Sequence, residues 1–230
     1  NYGDNYKDSL NQALTSAGYK NLSEYRQKMI KQIQYANFLL DYIDDHFDDV
    51  FNDYYQQCAP KYVSLIKISV SDTSSPTDDE TSKLNEVKEL ISNTDKSFGD
   101  IAQDYSDDST SSKKGSLGIV DSKDTSGIAN SYGKDVFNAI EALSEGQVSD
   151  VITGDDGYYF VKVTSTDKKN LKKELKKTDI DSPLLAYDDY LQYVVYNSYK
   201  INYKDKDIKK IVQEVVNKAL EERKTERGEA

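Results

Sequence analysis

The hydrophobic period of the chain changes twice, and this constrains the fold more than any single motif. Up to Pro60 the apolar residues recur at helical spacing. Tyr6, Leu10 and Leu14 stand four apart, and Tyr25, Met29, Ile33, Ala36, Leu40 and Ile43 step by threes and fours. Spacing of this kind lays one apolar stripe along a helix. Directly after Pro60, "KYVSLIKISV" at 61–70 is rich in β-branched residues and predicts a strand. Beyond residue 168 the helical spacing returns. The sequence therefore predicts a mixed segment between two all-helical flanks.

Local signals fill in this outline. Residues 4–16 predict a helix that Gly18 stops, and Asn21 with Glu24 three residues on has capping-box spacing for the next. "DDVFNDYYQQCA" carries helix on to Pro60. In the middle segment, the loop "SDTSSPTDDE" leads to a helix at about 80–92 with Leu84, Val87 and Ile91 inward. "SFGDIAQDYS" predicts another, with Phe98, Ile101, Ala102 and Tyr105 on one face. "LGIV" predicts a brief strand and "GKDVFNAIEAL" a helix ending near Gly146. "QVSDVIT" and "YYFVKVT" are two strands joined through "GDDG", a hairpin signal. The order is β-α-α-β-α-β-β over 61–167.

"DKKNLKKELKK" reads as a solvated basic stretch. Asp181 or Ser182 then caps a helix with Pro183 in its first turn and Leu185, Tyr190 and Val194 inward. A final helix buries Ile208, Ile211, Val212, Val215 and Ala219 and frays in its tail. Neither 1–60 nor 168–230 is large enough for a comfortable core. The expected fold class is α+β: residues 61–167 form a domain inserted between N- and C-terminal helical segments that pack together as a second domain.

Charge narrows the function classes. The chain of 230 residues carries a net −11, which argues against nucleic acid, since binding it needs a basic face. The excess is local: residues 61–167 hold 20 acids against 10 bases, whereas 168–230 is slightly basic. Cys58 is the one cysteine, so no intrachain disulfide or cysteine-rich metal site can form. No apolar run has the length of a membrane span. The opening "NYGDNYKDSL" reads as the interior of something longer, expected to follow a removed targeting segment. His46, between Asp44, Asp45, Asp48 and Asp49, reads as part of a solvated acidic face rather than a metal site. "TGDDGYY" lacks the ligand spacing of an EF-hand loop. No metal or cofactor is expected. Tyrosine is abundant, with 19 residues and no tryptophan, and clusters in the helical parts. These rings either pack the flanks together or line a bowl suited to weak binding of unfolded chains.

Four pieces of the middle segment resemble, in order, the parvulin-type peptidyl-prolyl isomerases: "VSLIKI", "FGDIAQDYSDDSTSSKKGSLGIV", "ALSEGQVSDVI" and "GYYFVKV". The second resembles the family's F-x-x-x-A-x-x-[YF]-S-D-[CD]-S…G-x-L-G pattern, and "LSEGQVS" its L-x-x-G-[EQ]-[VIM]-S turn. None is decisive alone, but the order across about 105 residues is specific. With helical regions on both sides, the whole resembles the PrsA-type extracytoplasmic foldases, and the flanks resemble segments of the chaperone SurA.

The resemblance implies a site and a setting. Asp108 takes the family's central position, and Leu65, Leu117, Val136 or Phe137, and Phe160 line the proline pocket. The family's two flanking histidines fall on Leu65 and Tyr159. Leu65 cannot hydrogen-bond, so Tyr159 is left to donate its hydroxyl to Asp108. The open alternatives are that Asp108 is a loop cap and that Leu117, Phe137 and Tyr159 are ordinary core. The implied function is a folding factor that binds exported unfolded polypeptides and their X-Pro segments, with weak or absent isomerase activity. An active isomerase using Asp108 and Tyr159, and a purely structural or homodimer-forming module, are the alternatives. The implied setting is the outer face of a Gram-positive-type cell membrane, reached through a lipid anchor that this chain lacks. The acidic loop "SDTSSPTDDE" stands where phosphate-directed members need basic residues.

Overall fold

The computed structural model describes residues 6–176 and 182–226. It divides into two compact units, 1–47 and 48–230. In the first, α1 (Tyr6–Ser16) and α2 (Leu22–Asp45) are joined through Gly18, whose φ of 82° lies in the left-handed region. Asn21 caps α2, its Oδ1 accepting the Glu24 N–H at 2.9 Å. The Glu24 carboxylate accepts from the Lys20 N–H at 2.7 Å, one residue short of a reciprocal capping box. Leu14, Leu39 and Ile43 are buried, while Ile33 of the expected stripe is 60% exposed. The ring of His46, which caps the C-terminal end of α2, stacks on Tyr42 at 4.5 Å.

The second unit is built around a four-stranded antiparallel sheet. α3 (Phe47–Cys58) leads into β1 (Lys61–Ser69), and α4 (Asp78–Asn93) and α5 (Phe98–Tyr105) follow. A 3₁₀ turn at Ser109–Lys113 precedes β2 (Ser116–Val120). Then come α6 (Ile128–Tyr132), α7 (Lys134–Ala142), β3 (Ile152–Thr153) and β4 (Gly157–Ser165). The strand order is β2-β1-β4-β3, which puts β1 and β4 in the centre, paired through Leu65↔Val161. Successive side chains of a strand face opposite sides, and both centre strands are apolar on both. Val63, Leu65, Tyr159 and Val161 meet Val136 and Ile140 of α7 on one face. Ile66, Ile68 and Phe160 meet α4 and α5 on the other, through Leu84, Val87, Phe98 and Ile101.

Specific polar contacts fix the layers. The Lys61 ammonium donates to the carbonyls of Ile140, Glu141 and Leu143 at 2.8, 2.7 and 3.1 Å, satisfying the open C-terminal end of α7. Asp121 is buried and accepts from the Tyr54 hydroxyl at 2.7 Å and from the Lys123 and Thr125 N–H groups, tying α3 to the end of β2. Gly115 has φ +74°, and a Cβ there would lie 2.4 Å from the Leu65 carbonyl oxygen, so only glycine lets the chain pass so close to β1.

After the sheet come α8 (Lys168–Leu175), α9 (Pro183–Ala186), α10 (Asp189–Ser198) and α11 (Lys206–Glu226). Asp53 of α3 accepts from the Tyr187 hydroxyl at 2.6 Å and is ion-paired with Arg223 of α11. The Tyr54 and Tyr187 rings meet edge-on at 5.3 Å. The C-terminal helices thus pack on α3, the nearest part of the N-terminal flank, inside one unit with the sheet.

Several local expectations change. "QVSDVIT" keeps only two residues of strand and one bridge, Val148↔Lys162. α6 was not anticipated. The lysine-rich stretch after 167 is helical, and Leu171 and Leu175, four apart, are buried beneath its solvated lysines. The α11 stripe is only partly covered: Val212, Val216, Leu220 and Arg223 are half-buried, while Ile208, Ile211 and Val215 stand exposed. Ser182 caps α9, accepting from the Leu184 N–H at 3.2 Å. Asp181, the other candidate cap, lies outside the described residues, as do 4–5 and 227–230.

Candidate functional site

On the α7 side of the sheet, a concavity of about 440 Å³ opens between α6, the start of α7 and the β3–β4 turn. Tyr132, Val136, Ile152 and Tyr159 supply its apolar and aromatic lining, and Asp155 and Asp156 stand among its polar groups. The Tyr132 and Tyr159 rings meet edge-on with centroids 6.2 Å apart, an arrangement aromatic quadrupoles favour.

A polar chain runs along this lining. The Tyr159 hydroxyl donates to Asp156 Oδ1, and the Lys67 ammonium is ion-paired with the same carboxylate through Oδ2. Lys67 lies two residues beyond Leu65 on β1, hence on the same face, and its ammonium sits 5.7 Å from the centre of the Tyr159 ring. Asp108 caps the 3₁₀ turn, its Oδ1 accepting from the Thr110 N–H at 2.8 Å and hydroxyl at 2.6 Å. The Tyr132 hydroxyl reaches the same oxygen at 3.5 Å, the outer limit of a hydrogen bond.

The environment keeps both phenols protonated. Burial, helped by the Asp108 charge and hydrogen bond, pushes the Tyr132 hydroxyl up to about 12. Burial, the hydrogen bond to Asp156 and its charge raise Tyr159 further. The hydrogen bonds from Lys67 and then Tyr159 hold the Asp156 carboxyl below its ordinary range. At neutral pH the concavity is therefore bordered by two neutral phenols, each directing its one proton to Asp156 or Asp108, beside a fixed carboxylate and ammonium. No nucleophile–base pair is assembled here. The arrangement suits non-covalent work: holding an apolar ring against the aromatic lining, with the phenol oxygens left as acceptors.

The sequence-predicted residues divide by face and depth. Tyr159 and Val136 line the concavity. Leu65, 0% exposed, lies in the core beneath it and is no contact surface. Leu117 and Phe137 pack against that same core; Leu117 lines a different cleft, beside Tyr62 and Pro183. Phe160 is corrected outright: it neighbours Tyr159 on a strand, points to the opposite face and is buried against α4 and α5. The expected Tyr159–Asp108 hydrogen bond is also corrected, because the Tyr159 hydroxyl is held by Asp156 and Asp108 is reached by Tyr132 instead. Asp108 is thus both a cap and a neighbour of the site. Sequence reasoning missed Lys67, Asp156 and Tyr132. The first was accessible from strand period and the second from its place three residues before Tyr159.

Residues 65–165 match the family model of the PPIC-type peptidyl-prolyl isomerase domain. The chain is similar over this stretch, less than half of its length, to that rotamase family. It is 33% identical over 141 residues to a foldase protein PrsA of Staphylococcus epidermidis, covering 58% of this chain, and 32% identical over the same length to that of Staphylococcus aureus. The chain spans 41% of the length of these curated relatives. Among solved structures, PrsA from Bacillus subtilis is 23% identical with a TM-score of 0.43, covering 88% of this chain and 75% of that one. Foldase protein PrsA from Streptococcus pneumoniae is 24% identical with a TM-score of 0.36, covering 91% and 75%. The matched stretch holds most of the sheet and of its two cores, and the concavity is lined from within it. No described helix is long and apolar enough to cross a membrane.

Proposed function

We propose that the protein is an extracytoplasmic folding factor of a Gram-positive-type bacterium, binding exported polypeptides before they fold and turning their X-Pro bonds slowly. In this reading residues 61–167 are the isomerase domain, and residues 1–60 and 168–230 carry the client. Uncatalysed X-Pro exchange takes tens to hundreds of seconds, because the amide has partial double-bond character. A site speeds it by favouring the twisted amide, with no covalent step. The observation that carries the reading is the concavity in the matched stretch, whose aromatic lining carries neutral hydroxyls held in place by Asp156 and Asp108. Leu65 offers no polar atom at one family histidine position and Tyr159 holds the other, so the activity is weak. The acidic loop at 71–80 supports selection against phosphorylated segments.

A second reading, client binding without isomerisation, is favoured by the burial of Leu65. Exchange spectroscopy on a proline tetrapeptide separates the two, with the parent protein compared with Asp108→Ala and Tyr159→Phe. Acceleration by the parent that drops in both variants supports the isomerase; no acceleration at all removes it. Suppression of aggregation of an unfolded client tests binding, and failure there removes the folding-factor reading.

A further inference from the structure

The concavity beside Tyr132 and Tyr159 is unevenly charged. Its lining holds one ammonium, that of Lys134, against the carboxylates of Asp135, Asp155 and Asp156. Asp156 is matched by Lys67, which stands outside the lining. Asp135 and Asp155 are exposed, and among the described residues neither is ion-paired. The turn that carries Asp155 is closed by the Gly154 N–H, which donates to the Gly157 carbonyl at 2.9 Å. Asp108 adds a carboxylate at the Tyr132 hydroxyl. The segment around the concavity also carries most of the chain's negative charge. Salt screens charges beyond roughly 8 Å at physiological ionic strength, so the carboxylates of the lining dominate.

The wall already holds one cation. The Lys67 ammonium is paired with the Asp156 carboxylate and lies 5.7 Å from the centre of the Tyr159 ring. Opposite charge and the ring quadrupole attract it together. Asp135 and Asp155, with Tyr132 in the same lining, offer this chemistry to a cation that comes from outside. On the reading that the concavity takes X-Pro segments, we propose that it selects those whose proline is flanked by lysine or arginine. The proline ring rests on Tyr132, Val136 and Tyr159, and the flanking cation meets Asp135 and Asp155. An extended chain advances about 3.3–3.6 Å per residue, so a long side chain beside the proline reaches these carboxylates. A neutral flank forgoes the attraction, and a glutamate meets like charge. Selection thus has an attractive and a repulsive part.

The test uses the full chain and acetyl-Ala-Xaa-Pro-Xaa-Phe-amide peptides, with lysine, glutamine or glutamate at both Xaa positions. Binding is read from the Gly133 and Gly154 resonances in ¹H–¹⁵N spectra. Exposed charge pairs are individually modest, so at low ionic strength lysine should bind about threefold tighter than glutamine and about tenfold tighter than glutamate. In about 0.5 M sodium chloride the three affinities should converge. Asp135→Asn combined with Asp155→Asn should bring the lysine-to-glutamine ratio close to one. Asp150→Asn, which removes an exposed carboxylate outside the lining, should keep the parent ratio. Equal affinities in the parent, a ratio indifferent to salt, or an equal fall in Asp150→Asn would overturn the proposal. The peptide series and the salt response need no variant to fold. Proline exchange measured on the same samples separates the two ideas. Exchange without lysine preference refutes only the selectivity, lysine preference without exchange refutes only the isomerase, and no binding of any peptide refutes both.

Discussion

Replacing Arg223 by methionine isolates the contact that holds the C-terminal helices to α3. The Asp53 side chain is 5% exposed and that of Arg223 11%. A pair so withdrawn from water gains little over an apolar substitute, but removing one partner strands the other charge at about 3–5 kcal/mol. Asp53 keeps the Tyr187 hydroxyl at 2.6 Å, which places the expected loss at the lower end, ~3 kcal/mol. In a unit of this size each kcal/mol moves Tm by roughly 2–4 °C, so Arg223→Met should melt about 6–12 °C below the parent. Asp53→Asn alone should also destabilise. The double variant should lose clearly less than the sum, with a coupling of about 2 kcal/mol. Urea and thermal unfolding followed by circular dichroism measure all four corners of the cycle. A fall in Tm below about 2 °C, or strictly additive losses, would show that the pair does not clamp these helices and that the reasoning from burial fails.

Three further outcomes follow from the site and its supports. Tyr132→Phe removes only the hydroxyl facing Asp108; peptide exchange should slow about tenfold while stability changes by less than ~1 kcal/mol, the scale of one hydrogen bond. Gly115→Ala drives a Cβ against the Leu65 carbonyl at positive φ and should destabilise by ~2 kcal/mol or more in urea unfolding. Glu80 is held down to about 2, chiefly by the backbone N–H groups of Thr77 and then Ser71. Its contribution is therefore full above the unfolded value near 4.5 and is lost as pH falls from there toward 2. Glu80→Gln should flatten the acid limb of the stability profile in that window, a result read by denaturation at stepped pH.

The order of elements was legible because the signals change character along the chain: β-branched apolar runs on β1 and β4, helical spacing on α4, α5 and α7. The choice of Tyr159 came from the family resemblance, whereas strand alternation fixes only which face its side chain takes. Alternation forbids neighbours Tyr159 and Phe160 from sharing a pocket, so the error at Phe160 lay in the reading and not in the sequence. Tyr132 was different in kind. Nothing local marks it, and it enters the site because Asp124, at φ 52°, accepts from the Ile128 and Ala129 N–H groups and starts a short helix there. The buried pair Leu171 and Leu175 was hidden by the mostly exposed lysines around them, which make the stretch read as solvated. Asp53 and Arg223 stand so far apart in the chain that no pattern could have joined them.

The pairing of β1 with β4 has a bearing on how the chain comes into being. The strand that carries "VSLIKI" is central and apolar on both faces, yet β4, which covers one of its edges, is the last strand of the domain. During synthesis, or passage through a pore from the N-terminal end, that strand appears long before its neighbour. Until then it is a bare, sticky ribbon of the kind chaperones exist to shield. A half-emerged copy of this protein therefore has the same need that a finished copy is proposed to meet.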